Sequence, residues 1–113
     1  MLLDTDHNRL RHMIEAAREA AGYVEGLPRE EFDSKRPLQH SVVRCIEIIG
    51  EAASRLSTEL REANPDIPWQ DMIAMRNRLI HAYFDLDLDL IWETARQELP
   101  GIIPRLEALL DSL

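Results

Sequence analysis

The sequence predicts an all-α fold, a four- to five-helix up-and-down bundle formed by a single domain over residues 1–113. Three observations support this prediction. Apolar residues recur at helical spacing in about four segments, prolines separate those segments, and no hairpin signal such as Asn-Gly stands beside a short apolar run. With 45% hydrophobic and 30% charged residues, a chain of 113 residues can bury a core without metals or crosslinks.

The first two helices are predicted from their caps and apolar stripes. A first helix should start at a cap within residues 4–6 and run to about Val24. A second, long helix should start at a cap on Asp33 or Ser34, carry a proline in its first turn and reach about Ala63. On a helical wheel, one side of this helix is an apolar stripe that belongs to the core, and the polar side is interpreted first as a solvated face with ion pairs. The stripe comprises Leu38, Val42, Cys45, Ile49, Ala53, Leu56 and Leu60, and the polar side comprises His40, Arg44, Glu47, Glu51, Arg55 and Thr58.

Two further helices are predicted in the second half of the chain. A proline-rich stretch precedes a third helix that should run from Trp69 to about His81. Residues 84–88 alternate apolar and acidic side chains, and because this run is short and has no partner strand we expect an extended connector. The last helix should cover residues 89–113, with a kink or break near Pro100 because proline removes a backbone hydrogen bond.

Composition and charge narrow the class of protein. The net charge of −8 and the pI near 4.9 argue against a general nucleic-acid or membrane binder, although clustered arginines could reverse the field locally. No run approaches the roughly 20 apolar residues that span a bilayer, and the first residues lack the features of a signal peptide. The lone Cys45 lies in an apolar pattern and suits a packed thiol in a reducing compartment. We expect a cytoplasmic protein.

Arg76 stands out on the third helix because it falls in an apolar sector beside Met72 and Leu79. A guanidinium there needs a carboxylate, an aromatic ring or a second subunit to meet. His81 lies about 140° away from Arg76 on the same helix. The two can share one site if a two-fold axis joins the ends of two such helices, which predicts a homodimer, or if the helix unwinds at His81. Asn77, four residues before His81, could orient its imidazole.

Simpler roles exist for these residues. Arg76 could be a structural ion-pair partner, His81 could satisfy the carboxyl end of a helix, and Tyr83 could be a core ring with a wet hydroxyl. A metal site is a further alternative, but neither a zinc-type cysteine pair nor a His-Glu-x-x-His spacing accompanies the histidines, so no metal or other cofactor is predicted. The four histidines are His7, His12, His40 and His81.

The segment Arg76-x4-His81-x-Tyr83 resembles the Arg-x4-6-His motif of HEPN-domain proteins, in the form found in HepT-like toxins. Further segments resemble the same family in the same order, so the likeness covers nearly the full chain. These segments are residues 44–53, 65–69, 89–92 and 99–100.

The resemblance implies a dimeric ribonuclease toxin paired with a minimal nucleotidyltransferase (MNT) antitoxin. It implies that Arg76 and His81, from both subunits, cut RNA without a metal ion, and that the antitoxin can adenylate Tyr83. Asn77 occupies the polar position that often follows the motif arginine.

RNA can be cut without a metal because its own 2′-hydroxyl attacks the neighbouring phosphate once a base removes the proton. His81 could be that base and Arg76 the cation that stabilises the developing charge. Arg78, and Arg44 across the groove, could hold flanking phosphates, and DNA should survive because it lacks the hydroxyl. The alternative is a catalytically silent helical adaptor that binds a nucleotidyltransferase.

Overall fold

The computed structural model describes residues 2–81 and 85–113, with side chains from residue 5 onward, and it confirms the all-α prediction. Within these ranges every regular element is helical, and none of the helices combines the length and apolar character needed to cross a membrane. The elements are α1 (Leu2–Val24), α2 (Arg29–Ser34), α3 (Arg36–Arg55), α4 (Thr58–Ala63), α5 (Trp69–Ile80), α6 (Leu88–Glu93), a π-helical turn (Thr94–Glu98) and α7 (Leu99–Ser112).

Helix α3 is the centre of the bundle. It packs against α1 on one side and α5 on another, and α7 packs on α1. The predicted apolar stripe of α3 is confirmed as core, and Cys45 is buried within it, where burial raises the pKa of the thiol to about 11. Side chains with no exposed surface come from several helices; they include Leu10, Met13, Phe32, Val42, Ile91 and Leu106.

The prediction of one long helix reaching Ala63 was wrong. Helix α3 ends at Arg55, and Ser57 begins α4 by accepting a hydrogen bond from the Leu60 amide at 3.2 Å. The buried Asp6 explains the break, because its carboxylate accepts bonds from the Ser57 amide at 2.9 Å and hydroxyl at 2.6 Å. Asp6 therefore bonds to the α3–α4 corner, and α1 begins before the predicted cap at residues 4–6.

The predicted cap of α3 was also wrong. Asp33 and Ser34 belong to α2, and α3 begins one residue after Lys35, with a proline in its first turn as expected. Helix α2 forms because Phe32 is fully buried and its ring lies 5.2 Å from that of Trp92.

The last helical region starts within a residue of its predicted start, but the break that was one of the two outcomes predicted at Pro100 is absent. Residues 85–87 are non-helical, and Asp87 caps α6 by accepting from the Leu90 amide at 3.1 Å. The π-helical turn comes directly before α7, which carries Pro100 in its first turn. The wider turn accommodates the missing amide hydrogen without breaking the helix.

Candidate active site

Gly50 sets the distance between α3 and α5. A Cβ atom at this position would lie 2.7 Å from the Met72 carbonyl oxygen and closer still to the Cβ of Arg76. Only glycine allows this approach, so the backbone of α5 lies directly against α3 at the turn that carries Arg76. Gly50 lies in one of the family-like segments of the sequence, but no role for it was predicted.

Arg76 meets a carboxylate, as its position in an apolar sector required. Its Nη2 lies 2.9 Å from Oε2 of Glu51, its Nη1 donates to Oδ1 of Asn77 at 2.8 Å, and 32% of the side chain remains exposed. Glu51 also accepts a bond from Nε of Arg55 at 2.7 Å. That bond, with the charges of Arg55, Arg76 and Arg9, holds the pKa of Glu51 below its usual value despite partial desolvation.

The two residues beside Arg76 have different partners. Asn77 accepts a hydrogen bond from Arg76 at its Oδ1, and its predicted role in orienting His81 stays a prediction. Arg78 is exposed and lies 3.2 Å from the Asp87 carboxylate, which ties the end of α5 to the connector before α6. The guanidinium of Arg78 therefore points to a different neighbour from that of Arg76.

His81 lies at the C-terminal end of α5 and is exposed. Its backbone remains near-helical, with φ −100° and ψ −5°, so its side chain leaves the axis about 140° from that of Arg76. This near-helical backbone is what the predicted divergence within one chain requires. Tyr83, the third motif residue, lies outside the described residues.

The guanidinium of Arg76 faces a groove of about 380 Å³ between α1, α3 and α5. Four arginines and two glutamates line it, so the local balance of formal charge is positive in a chain whose net charge is −8. Of the lining residues, only Arg44 and Arg76 were predicted from the sequence to belong to the site. The full lining is Arg9, His12, Arg44, Glu47, Ile48, Glu51, Ala52, Arg55, Arg76 and Ile80.

A second cavity, of about 410 Å³, separates α5 from the last helical region. Its walls are mostly apolar, and the charged residues that line it are acidic: Asp71, Glu93 and Glu98. An anionic substrate is therefore better accommodated in the arginine groove than here. Among the described residues, no three of the His, Cys, Asp and Glu side chains are grouped as metal ligands.

Comparison with known proteins identifies ribonucleases as relatives of this all-helical protein. "Putative RNase MJ1216" of Methanocaldococcus jannaschii is 34% identical over 104 residues, which cover 92% of this chain and 86% of the relative. "Probable ribonuclease HepT" of Thermococcus cleftensis is 35% identical over 100 residues, covering 85% and 91%. "Putative RNase TTE0752" of Caldanaerobacter subterraneus subsp. tengcongensis is 33% identical over 108 residues, covering 96% of both.

The family model described as "Ribonuclease HepT-like" matches residues 13–109. The chain belongs to the HepT-like ribonuclease family, which confirms the resemblance stated from its motifs. No solved structure gives a significant match.

Proposed function

We propose that this protein is the RNA-cleaving toxin of a HEPN/MNT toxin–antitoxin pair and that Arg76 and His81 carry out a metal-independent cleavage. The observation that carries the proposal is the position of Arg76. Its stem is packed against α3, its guanidinium is held by Glu51, and about a third of the side chain still faces an arginine-lined groove. A fixed cation at the edge of a basic groove suits a phosphate group.

We further propose that the active form is a homodimer. Within one chain the side chains of Arg76 and His81 diverge, so one pocket that contains both is most simply built from two chains related by a two-fold axis. Ile80 supports this arrangement, since this large apolar side chain is 39% exposed and lines the groove beside Arg76.

The cleavage chemistry follows from the two side chains. His81 accepts the proton of the ribose 2′-hydroxyl, and the 2′-oxygen forms a bond to the adjacent phosphorus. The bond from phosphorus to the 5′-oxygen breaks, that oxygen takes up a proton, and a 2′,3′-cyclic phosphate remains. Arg76 stabilises the added negative charge on the phosphate oxygens.

Regulation by the antitoxin is proposed to act at Tyr83. A minimal nucleotidyltransferase would transfer adenylate from ATP to the phenolic oxygen, with pyrophosphate as the leaving group. The bulky anion would lie two residues from His81 and compete with substrate for Arg76. After incubation with the cognate nucleotidyltransferase and ATP, mass spectrometry should map one adenylate to Tyr83; modification elsewhere contradicts this part of the proposal.

Mixed dimers test the active site. The wild-type protein should cut RNA in the presence of EDTA and leave DNA intact, and Arg76→Ala or His81→Ala should lower the rate by about 10² to 10⁴-fold. When the two inactive variants are co-expressed, half of the dimers combine one chain of each kind. If each site takes Arg76 from one chain and His81 from the other, about a quarter of the wild-type activity should return.

Three results would contradict the proposal. Undiminished cleavage by His81→Ala excludes the histidine as the base. A strictly monomeric, active protein excludes the shared site. Variants that remain inactive when mixed, although they form dimers, place both residues in the same protomer's site.

A catalytically silent adaptor is the second candidate, and one observation favours it. Both ends of the Arg76 guanidinium already have partners in Glu51 and Asn77, as a purely structural ion pair would. If this interpretation holds, expression without an antitoxin leaves cells growing and His81→Ala changes nothing.

A further inference from the structure

We infer that the groove beside Arg76 is a binding track for the phosphodiester backbone of single-stranded RNA, in which Arg9, Arg44 and Arg55 hold the phosphates next to the one at Arg76. The inference rests on the proposed function and adds α1 to the site, which the Arg-x4-His motif does not include. The basic side chains come from three different helices that meet at this groove.

The first support is the pairing of these arginines. Arg55 and Arg76 share the single carboxylate of Glu51. Arg9 and Arg44 form no salt bridge among the described residues, although the charge of Arg9 helps to lower the pKa of Glu51, and the Nε of Arg9 is shut off from solvent without a hydrogen-bond acceptor there. The groove therefore holds more donors than its own acceptors satisfy.

The second support is the contrast with cations elsewhere on this acidic surface. The chain has 21 acidic and 13 basic residues, so a carboxylate partner is easy to find. Arg18 pairs with Glu107 on α7, and Arg29 pairs with Asp89 at 2.7 Å. Other arginines, such as Arg11 and Arg61, also form no salt bridge among the described residues, so what distinguishes this place is the grouping of four arginines around one groove.

The lining also indicates which part of the RNA the groove contacts. The described lining residues include no Phe, Tyr or Trp on which bases could stack, whereas guanidinium groups suit phosphate oxygens. We therefore expect recognition of the backbone with little preference among bases. Phosphates of a flexible single strand can adapt to four arginines on three helices more easily than those of a rigid duplex.

The salt dependence of binding gives the size of the effect. Each phosphate neutralised on a single strand contributes about −0.7 to the slope of log K against log salt concentration. Four arginine contacts predict a slope near −2.8, so affinity should fall about 50-fold between 50 and 200 mM salt. With two contacts removed the slope becomes about −1.4 and the fall about 7-fold.

The experiment measures binding apart from cleavage. Each chain carries His81→Ala, and fluorescence anisotropy follows a labelled oligouridylate of about 12 nucleotides, within the span that single-strand sites occupy. The test variant is Arg9→Gln with Arg44→Gln. The matched control is Arg11→Gln with Arg18→Gln, which removes the same charge from exposed positions of α1 that line a different depression, facing α7.

The proposal expects the shallower slope in the groove variant and an unchanged slope in the control. Equal loss in both variants, or no loss in either, overturns it. Arg44→Gln alone, at an exposed side chain that forms no salt bridge among the described residues, guards against misfolding and should make the slope shallower by about 0.7. If binding depends on the groove but the wild-type chain does not cleave RNA, the proposed nuclease function is rejected and the binding track stands. If the wild-type chain cleaves RNA but binding does not depend on the groove, the track is rejected and the nuclease function stands.

Discussion

Replacing Gly50 by alanine should show how tightly the packing of α3 on α5 fixes Arg76. The added methyl group would lie 2.7 Å from the Met72 carbonyl oxygen and even closer to Cβ of Arg76. Ordinary contacts between such atoms are about 3.5 to 4.0 Å, so α5 must move away by roughly 1 Å. The nearest atoms are backbone or directly attached to it, and rotation of a side chain cannot relieve the clash.

The magnitude follows from two opposing effects. Overpacking a core costs about 1 to 3 kcal/mol, and alanine in a helix recovers about 1 kcal/mol relative to glycine. Because backbone must shift, we expect a net loss of about 1 to 2 kcal/mol, or a melting temperature lower by about 4 to 8 °C. If the proposed nuclease is correct, displacing Arg76 by 1 Å should also slow RNA cleavage by about 10²-fold.

Gly101→Ala is the matched control. Gly101 lies in α7, and a Cβ there meets no atom within 4 Å, so the same substitution should stabilise the protein by about 0.5 kcal/mol. Thermal unfolding followed by circular dichroism compares the two variants, and cleavage assays at a temperature where both are folded separate activity from stability. If Gly50→Ala is as stable as Gly101→Ala, α3 and α5 do not approach each other this closely at Gly50, and the packing there does not fix Arg76.

Two other substitutions test contacts at the edges of the bundle. Asp6→Ala removes the acceptor for both Ser57 bonds and should lower the free energy of unfolding by about 1.5 to 3 kcal/mol in urea titrations. Asp6→Asn should lower it less. An unchanged urea midpoint for the alanine variant would show that the corner does not depend on this carboxylate. Glu51→Gln tests the charge that pairs with Arg55 and Arg76. Because the folded-state pKa of Glu51 is lowered, its contribution is fully present above the unfolded pKa near 4.5 and disappears as pH falls through the folded value. The difference in stability between Glu51→Gln and wild type should be constant between pH 5 and 7 and shrink in more acid solution. A difference that grows in acid would mean that folding raises the pKa of Glu51 instead of lowering it.

Local sequence signals were sufficient for the bounds of α5 and for the buried face of α3. Proline before Trp69 and the apolar spacing that follows placed α5 within a residue of its observed bounds. The stripe on α3 was predicted correctly through Leu56 because core burial follows helical periodicity directly.

The corners of the fold could not be predicted in the same way. The break at Ser57 depends on Asp6, which is 51 residues away in the chain. Helix α2 depends on Phe32 packing against Trp92, 60 positions later. A continuous apolar and polar pattern crosses the corner at Ser57, so the local signal favours one helix there until the distant partner is known.

In the candidate site, too, some features follow from local sequence signals and others depend on contacts between distant parts of the chain. That Arg76 requires a partner was evident from its place on an apolar sector, but the choice of Glu51 depends on the register of α3 against α5, which Gly50 sets. Arg9 joins the groove only because α1 packs on α3 in one particular register. Periodicity gives the direction of a side chain on its own helix and says nothing about which helix lies opposite.

The net acidity of the chain and an RNA substrate are compatible because electrostatic interactions are short-ranged in salt solution and the groove differs in charge from the rest of the surface. At physiological ionic strength, charges more than about 8 Å apart are largely screened. A phosphate inside the groove therefore interacts mainly with its lining, where arginines outnumber glutamates four to two. Outside the groove the nearby charges are mostly acidic, as the net charge of −8 indicates, and they oppose RNA contact there, so they would confine binding to the groove beside Arg76.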